Sequence, residues 1–295
     1  MAIEYVRPVS YTAFWARRIA LFALMLMLSA WLATRFGPLL QVHFLALYTA
    51  AALLALLALL GAFIGFVNLW RVAAEGGKSS VAAVILAVPV LMPAAYAAWL
   101  YRDHAPLYEV SSDLADPPVW LKMPVYDQAW LGVRPPPDAG MRAAQQTAYP
   151  GLITHRYDAA LDRVVKAVRA AAAERRIRFS GEKVPAAIRE QEEEETLPPE
   201  TPGGIPVPRR RPDVIPGAAP AEPAIPIAIF QGMVTDRITG FPYDVVIRVR
   251  EAGDSTLADI RVAARYGQID LGVSADIADA FLKALDDQML GIAGE

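Results

Sequence analysis

Residues 36–70 read FGPLLQVHFLALYTAAALLALLALLGAFIGFVNLW and contain no formal charge. A helix of roughly 20 apolar residues crosses a hydrocarbon core of about 30 Å. This stretch is longer than one perpendicular crossing requires, so it should tilt or extend beyond the bilayer. A second apolar stretch runs from about Phe14 to Thr34 and a third from about Ser79 to Tyr101. Between Ile19 and Tyr101 the charged residues are Arg35, Arg71, Glu75 and Lys78. Lipid offers backbone groups no water to bond, so all three stretches are expected to be helical. From Asp103 onward the composition is that of a water-soluble domain. The expected fold class is therefore a membrane α-helical anchor plus α+β, with residues 1–102 forming the anchor of three transmembrane helices.

Arg17 and Arg18 precede the first run as they would in a signal peptide. Arg35-Phe36-Gly37-Pro38 and a second apolar run follow at once, without a small-residue cleavage site, so a retained anchor is expected. With the N-terminus in the cytoplasm, Arg7, Arg17, Arg18, Arg71 and Lys78 lie inside and only Arg35 and Arg102 flank the spans outside. Positive charge concentrates on the cytoplasmic side, so three crossings carry the remainder of the chain out. In a Gram-negative bacterium that places the anchor in the inner membrane and the module in the periplasm. Trp15, Trp31, Trp70, Trp99 and Tyr101 stand at span ends, where aromatic side chains anchor in the interface. Gly61 and Gly65 form a small-xxx-small pair that suits close packing of the three helices, with a homodimer face as the alternative. Pro89 and Pro93 should bend the third helix. No Asp, Glu, Lys or Arg lies mid-membrane, which removes the usual signature of an ion pathway, and His43 near a span end reads as interfacial.

The net charge of −3 hides an asymmetry. Residues 1–102 carry seven basic and two acidic groups, and the remainder carries 21 basic and 29 acidic. A module with that acidic excess is poorly suited to nonspecific nucleic-acid binding, and no nucleic-acid partner is expected. With no cysteine, the module must be held by its core alone even in an oxidising compartment.

Residues 103–150 hold Asp116-Pro117-Pro118 and Arg134-Pro135-Pro136-Pro137, which favour extended or turn conformations. They read as a long irregular lead-in, partly packed on the module by Trp120, Tyr126 and Trp130. Residues 151–295 read as the α+β module, interrupted at 182–226 by an insertion. In the module, Leu161, Val164, Val165, Val168 and Ala172 recur at helical spacing after a candidate cap at Asp158. A short strand is expected at Arg176 to Ser180. The insertion has a Glu192–Glu195 run, repeated prolines and Arg209-Arg210-Arg211, a composition expected to stay disordered or to serve as a partner-docking segment. Strands are expected at Ile227 to Thr235, Tyr243 to Arg250 and Thr256 to Tyr266, with turns at Thr239-Gly240 and Ala252-Gly253-Asp254. A closing helix capped by Ser274 should run through Met289. This order implies a two-layer module, an antiparallel sheet with helices on one face.

Alternation is the sharpest local signal. Val245, Ile247 and Val249 point one way while Asp244, Arg248 and Arg250 point the other. Ala258, Ile260, Val262 and Ala264 oppose Asp259, Arg261 and Arg265 in the next strand. Paired, these strands place four arginines and two aspartates on one sheet face. That face reads either as a ladder of ion pairs or as a binding site for an anionic lipid or envelope component, since guanidinium forks suit carboxylate and phosphate.

At these strands the chain resembles a known family. Phe241-Pro242-Tyr243-Asp244-Val245-Val246-Ile247-Arg248-Val249-Arg250, Ala258 through Gly267, and Asp270-Leu271-Gly272-Val273 are similar to the core of the family called domain of unknown function 1499. Ser112-Asp113-Leu114-Ala115-Asp116-Pro117-Pro118 and Tyr149-Pro150-Gly151-Leu152 resemble its opening motifs, so the likeness covers about Ser111 to Leu285 outside the insertion. The resemblance implies bacterial and plastid relatives, often with membrane segments, and no activity. This chain has Tyr243-Asp244 where the family commonly carries paired acids. It has Val262, Ala263 and Ala264 where the family tends to place serines, which weakens the case for catalysis.

No metal-site spacing, Walker loop, dinucleotide fingerprint or nucleophile elbow occurs, and the three histidines are His43, His104 and His155. His155 could serve a hydrolytic dyad with a serine, but an isolated loop histidine is more often structural. Asp244, Asp259 and Asp270 could include an acid–base pair, yet arginines stand beside them. No catalytic residue, cofactor or metal is therefore assigned. The expected function is a non-enzymatic binding or accessory module of a membrane complex, with membrane lipids and other membrane or periplasmic proteins as partners. Lipid binding through the arginine face is the alternative, and an envelope-acting enzyme the third reading.

Overall fold

The computed structural model describes residues 9–72, 74–189 and 226–291. Three long helices come first: α1 (Tyr11–Phe36), α2 (Gln41–Val72) and α3 (Gly77–Asp103). Each is long and apolar enough to cross a membrane. They run up, down and up, every pair in contact. The C-terminal end of α1, the N-terminal end of α2 and the C-terminal end of α3 therefore lie together. At the opposite end Ser10 donates its backbone N–H to the Glu75 carbonyl at 2.8 Å.

The seam of this bundle is made of small side chains. Ala13, Ala16, Ala20 and Ala23 of α1 are buried against Ala51, Ala55, Ala58 and Ala62 of α2 and Ala83 and Ala87 of α3. Among apolar lipid tails helices gain little from hiding leucine, so close backbone approach through small residues drives their packing. Gly61 and Gly65 belong to the same seam. A Cβ on Gly61 would meet the Ala16 Cβ at 3.1 Å, and one on Gly65 would strike the Ser80 hydroxyl and come within 2.9 Å of the Ala13 Cβ. The pair thus serves packing within the chain. Pro89 and Pro93 both lie inside α3.

The module follows α3 directly, for Leu107 is already buried in its core. Its elements are β1 (Glu109–Ser111), a 3-10 turn (Ala129–Leu131), α4 (Ala139–Ala148), β2 (His155–Tyr157), α5 (Leu161–Glu174), β3 (Arg178–Lys183), β4 (Ile227–Thr235), β5 (Pro242–Ala252), β6 (Ser255–Ala264) and α6 (Val273–Leu290). The strand order is β1-β6-β5-β4-β3, all antiparallel, with β2 joining β6 beside β1. Helices α5 and α6 cover one face. Val245, Ile247, Val249, Ile260, Val262 and Phe230 meet Val164, Val165 and Val168 of α5 and Phe281, Leu282 and Leu285 of α6 in one core. The fold is α+β with a membrane-type helical anchor.

Several local expectations need correction. The lead-in contains β1 and α4, the latter started by Asp138, whose carboxylate accepts from the Met141 backbone N–H at 2.8 Å. His155 lies in β2 rather than a loop. Helix α5 begins at Leu161 after Ala160, so Asp158 is not its cap. Ser274 does not cap α6 either: the Asp270 carboxylate accepts from the backbone N–H groups of Gly272 and Ser274 at 3.0 and 2.9 Å. Ordered structure extends past position 182, because β3 reaches Lys183 opposite Ile229 and the core holds Val184 and Ile188. The acidic run and the Pro-Arg stretch at 190–225 lie outside the described residues.

Candidate functional site

The two central strands place the charged residues as their alternation implies. Arg248 stands directly across from Asp259, Val246 from Arg261 and Asp244 from Ala263. All six candidates, Asp244, Arg248, Arg250, Asp259, Arg261 and Arg265, occupy the sheet face away from α5 and α6. That face is not open. The segment from Ser112 to Arg134, leaving the end of β1 at the sheet edge, crosses it as a strap. The Gln231 side chain clamps the strap by accepting from the Lys122 N–H at 2.9 Å and donating to the Lys122 carbonyl at 2.7 Å. Trp120 of the strap packs down against Val246 and Ala263.

Under this cover the arginines divide into three nests. Arg248, 6 % exposed, donates to Asp259 Oδ2 at 2.9 and 3.2 Å, to Asp116 Oδ2 at 2.7 Å, to the Asp116 carbonyl at 2.8 Å and to Asp113 Oδ2 at 3.1 Å. Arg250 shares Asp113 at 3.1 Å. Asp259 is 0 % exposed, and its other oxygen accepts from the Thr154 hydroxyl at 2.5 Å and the Ser112 hydroxyl at 3.4 Å. In the second nest Arg261 grips Glu109 at 2.7 and 2.8 Å, donates to the Pro118 carbonyl at 3.1 Å and stacks on Trp120 at 5.2 Å. In the third, Arg265 meets Asp244 at 2.9 Å and lies over Tyr126 at 4.7 Å.

Burial lowers the proton affinity of Arg248, but its bonds to Asp259 and Asp116 outweigh that and the net shift is upward. Arg265 behaves the same way with Asp244. Glu109 has the opposite balance: burial raises its carboxyl above the ordinary range and Arg261 offsets this only in part. The first nest sets two guanidinium groups against three carboxylates, so an incoming anion would have to displace resident aspartates.

His155 is placed elsewhere. Its Nδ1 lies 3.0 Å from Asp286 Oδ1 of α6, and the Tyr157 hydroxyl donates to the same oxygen at 2.7 Å. Burial, then Asp286, raises the Tyr157 pKa. Among the described residues no serine joins this cluster. Asp270 caps α6, and burial raises its pKa against the hydrogen bonds it accepts. Among the described residues no three His, Cys, Asp or Glu side chains are grouped to hold a metal.

The central strands and their charges lie in one recognisable segment. Residues 219–285 match the family described as protein of unknown function, DUF1499. No curated protein and no solved structure matches the chain. The DUF1499 segment takes in β4, β5, β6 and most of α6, with all six candidate residues. It is narrower than the resemblance read from Ser111 onward, yet the upstream motif folds onto it: Asp113 and Asp116 supply two of the carboxylates on Arg248. Sequence reasoning missed these two, together with Glu109, Thr154 and Gln145. Gln145 accepts from the Ser111 backbone N–H at 3.1 Å and donates to its carbonyl at 2.6 Å. Asp113 and Asp116 stand in the Ser112–Pro118 motif, and the one available signal is that four arginines in an acidic module need partners.

Proposed function

We propose that this chain is a membrane-anchored module acting outside the cytoplasm as a non-enzymatic binding or accessory component of a membrane complex. One observation carries the reading: the polar sheet face is closed by its own strap and each of its four arginines is paired with a carboxylate, while the module is fastened to its anchor. Trp31 of α1 donates its indole N–H to the Ile238 carbonyl at 3.3 Å, Trp130 donates to the Val42 carbonyl of α2 at 3.2 Å, and Phe44 packs edge-on against Phe241 at 5.7 Å. Such an arrangement suits a platform held at a fixed height over the bilayer better than a catalyst. Charge supports the orientation. Arg17, Arg18, Arg71 and Lys78 lie toward the bundle end away from the module, and Arg35 and Arg102 lie at the module end. On this reading, in a Gram-negative cell the anchor belongs to the inner membrane and the module to the periplasm.

Gentle extraction of the intact protein in native lipid, followed by native mass spectrometry, tests the accessory role. A defined complex with other envelope proteins is the expected result, and a bare monomer would count against it.

One observation favours the second reading, binding of an anionic lipid or envelope component. Arg261 lines a cleft of about 200 Å³ together with Ser111, Met141, Arg142 and Gln145. Native mass spectrometry of the intact protein extracted from phosphatidylglycerol-containing membranes tests it: wild type should retain the lipid, Arg142→Gln should lose it, and equal retention would remove the reading.

A further inference from the structure

The edge of the module that meets the anchor ends in apolar side chains facing away from protein. The turn between β4 and β5 is tied by the Asp236 carboxylate, which accepts from the backbone N–H groups of Ile238 and Thr239 at 3.1 and 2.7 Å and from the Thr239 hydroxyl at 2.6 Å. Gly240 completes the turn at φ 77°, a conformation side chains resist. The Asx-type closure satisfies the turn internally and leaves Ile238 projecting at 77 % exposure. The turn is satisfied within itself, so its exposed isoleucine is free to meet an apolar neighbour.

Its position identifies that neighbour. The Ile238 carbonyl is bonded to Trp31, which lies five residues inside the end of α1. At 1.5 Å per residue the Trp31 backbone lies about 7.5 Å inside the end of that helix, so the tip is bonded to a side chain rooted more than one turn inside it. Trp130, 55 % exposed, hangs from Val42 in the first turn of α2. Phe36 and Leu40, the exposed apolar residues of the α1–α2 connection, stand at the same end of the bundle. Arg35 and Arg237 flank the tip, and neither pairs with a carboxylate among the described residues. Apolar tips with tryptophan at one level and arginine beside them match the layering of a lipid interface.

We propose that the Asp236–Gly240 turn and Trp130 form an interfacial lip, with Ile238 seated among the acyl chains and Arg237 at the head groups of the leaflet next to the module. The lip fixes the height of the sheet above the bilayer independently of any protein partner, and it rests only on the anchor being inserted.

The chain has no cysteine, so single-cysteine variants I238C, F36C and D254C can each carry one polarity-sensitive fluorophore. The full-length protein is placed in phosphatidylcholine nanodiscs containing a lipid spin-labelled high on its acyl chain. An interfacial tip lies roughly 5–10 Å into the headgroup–acyl boundary, so quenching at I238C should come within about two-fold of that at F36C. D254C, on the turn at the opposite end of β5, should stay unquenched. Quenching at I238C no greater than at D254C overturns the lip, and so does a label shielded from both the lipid quencher and aqueous iodide. Absence of quenching at F36C would instead show that the anchor itself is not inserted, which defeats the lip and the membrane reading together.

Discussion

Arg248→Met is the substitution that most sharply separates a structural arginine face from a binding one. Methionine roughly keeps the volume and removes the guanidinium. The change deletes the bonds to Asp259, Asp116 and Asp113 and leaves Asp259 fully buried. Its remaining partners are then the Thr154 and Ser112 hydroxyls, with Arg250 at 3.6 Å. Stranding one member of a buried ion pair costs about 3–5 kcal/mol. A loss of 1 kcal/mol moves Tm by about 2–4 °C in a domain of this size, so a fall on the order of 6–20 °C is expected. Thermal unfolding of the full chain in nanodiscs, followed by tryptophan fluorescence, reads this directly. Lys283→Ala, which breaks the exposed Lys283–Asp279 pair of α6, is the internal control and should cost at most about 1 kcal/mol. Arg248→Met combined with Asp259→Leu should cost less than the two single changes together, because the second removes the stranded charge. If Arg248→Met unfolds within the error of wild type, the nest does not hold the fold, and the arginine face is not structural.

Three further predictions probe other parts of the molecule. Gly65→Leu drives a side chain into Ser80 and Ala13, and overpacking of this kind costs about 1–3 kcal/mol; the bundle should melt earlier by far-UV circular dichroism, whereas Leu53→Val on an exposed face of α2 should not change it. Gln145→Ala leaves both backbone polar groups of Ser111 without their side-chain partner, at about 1–3 kcal/mol for each buried group; amide exchange at Ser111 should accelerate, and unchanged protection would show that the clamp is dispensable. Glu109 has its folded pKa raised above the ordinary 4.5 by burial, so its contribution to stability is complete below the unfolded value and is lost as pH rises through the folded one. Wild type should therefore lose ground to Glu109→Gln as pH is raised from about 4, and the difference should then level off; a difference moving the other way would contradict burial as the dominant influence.

The sequence disclosed the central strands because their pattern obeys a strict rule. Val245, Ile247 and Val249 alternate with Arg248 and Arg250 at period two, and Gly253 ends the strand, so facing and hairpin register follow locally. The ladder of Arg248 and Asp259 is legible for the same reason. The strap is legible only in part: Trp120 and Tyr126 mark it as packed on the module, but no local pattern says which strands an extended chain crosses, and Asp113 reaches Arg248 across 135 positions. Helix α4 escaped notice because it is short and polar, with Gln145 as its one buried residue. The cap of α6 was misplaced by four residues, since Ser274 at a helix start looks like a cap while the acting carboxylate belongs to Asp270. In the bundle Gly61 and Gly65 were recognisable, but the alanine seam was hidden in a run where every residue is apolar and the difference is only size.

The proposed topology carries the module outside the cytoplasm on an inserted three-helix anchor. Right-side-out membrane vesicles bearing single-cysteine variants test it most directly. Asp254→Cys lies on the exposed turn between β5 and β6, and Lys78→Cys lies at the start of α3 on the opposite end of the bundle. A membrane-impermeant maleimide should label the variant at 254 in intact vesicles and the variant at 78 only after permeabilisation. The reverse pattern would place the module in the cytoplasm and contradict the account.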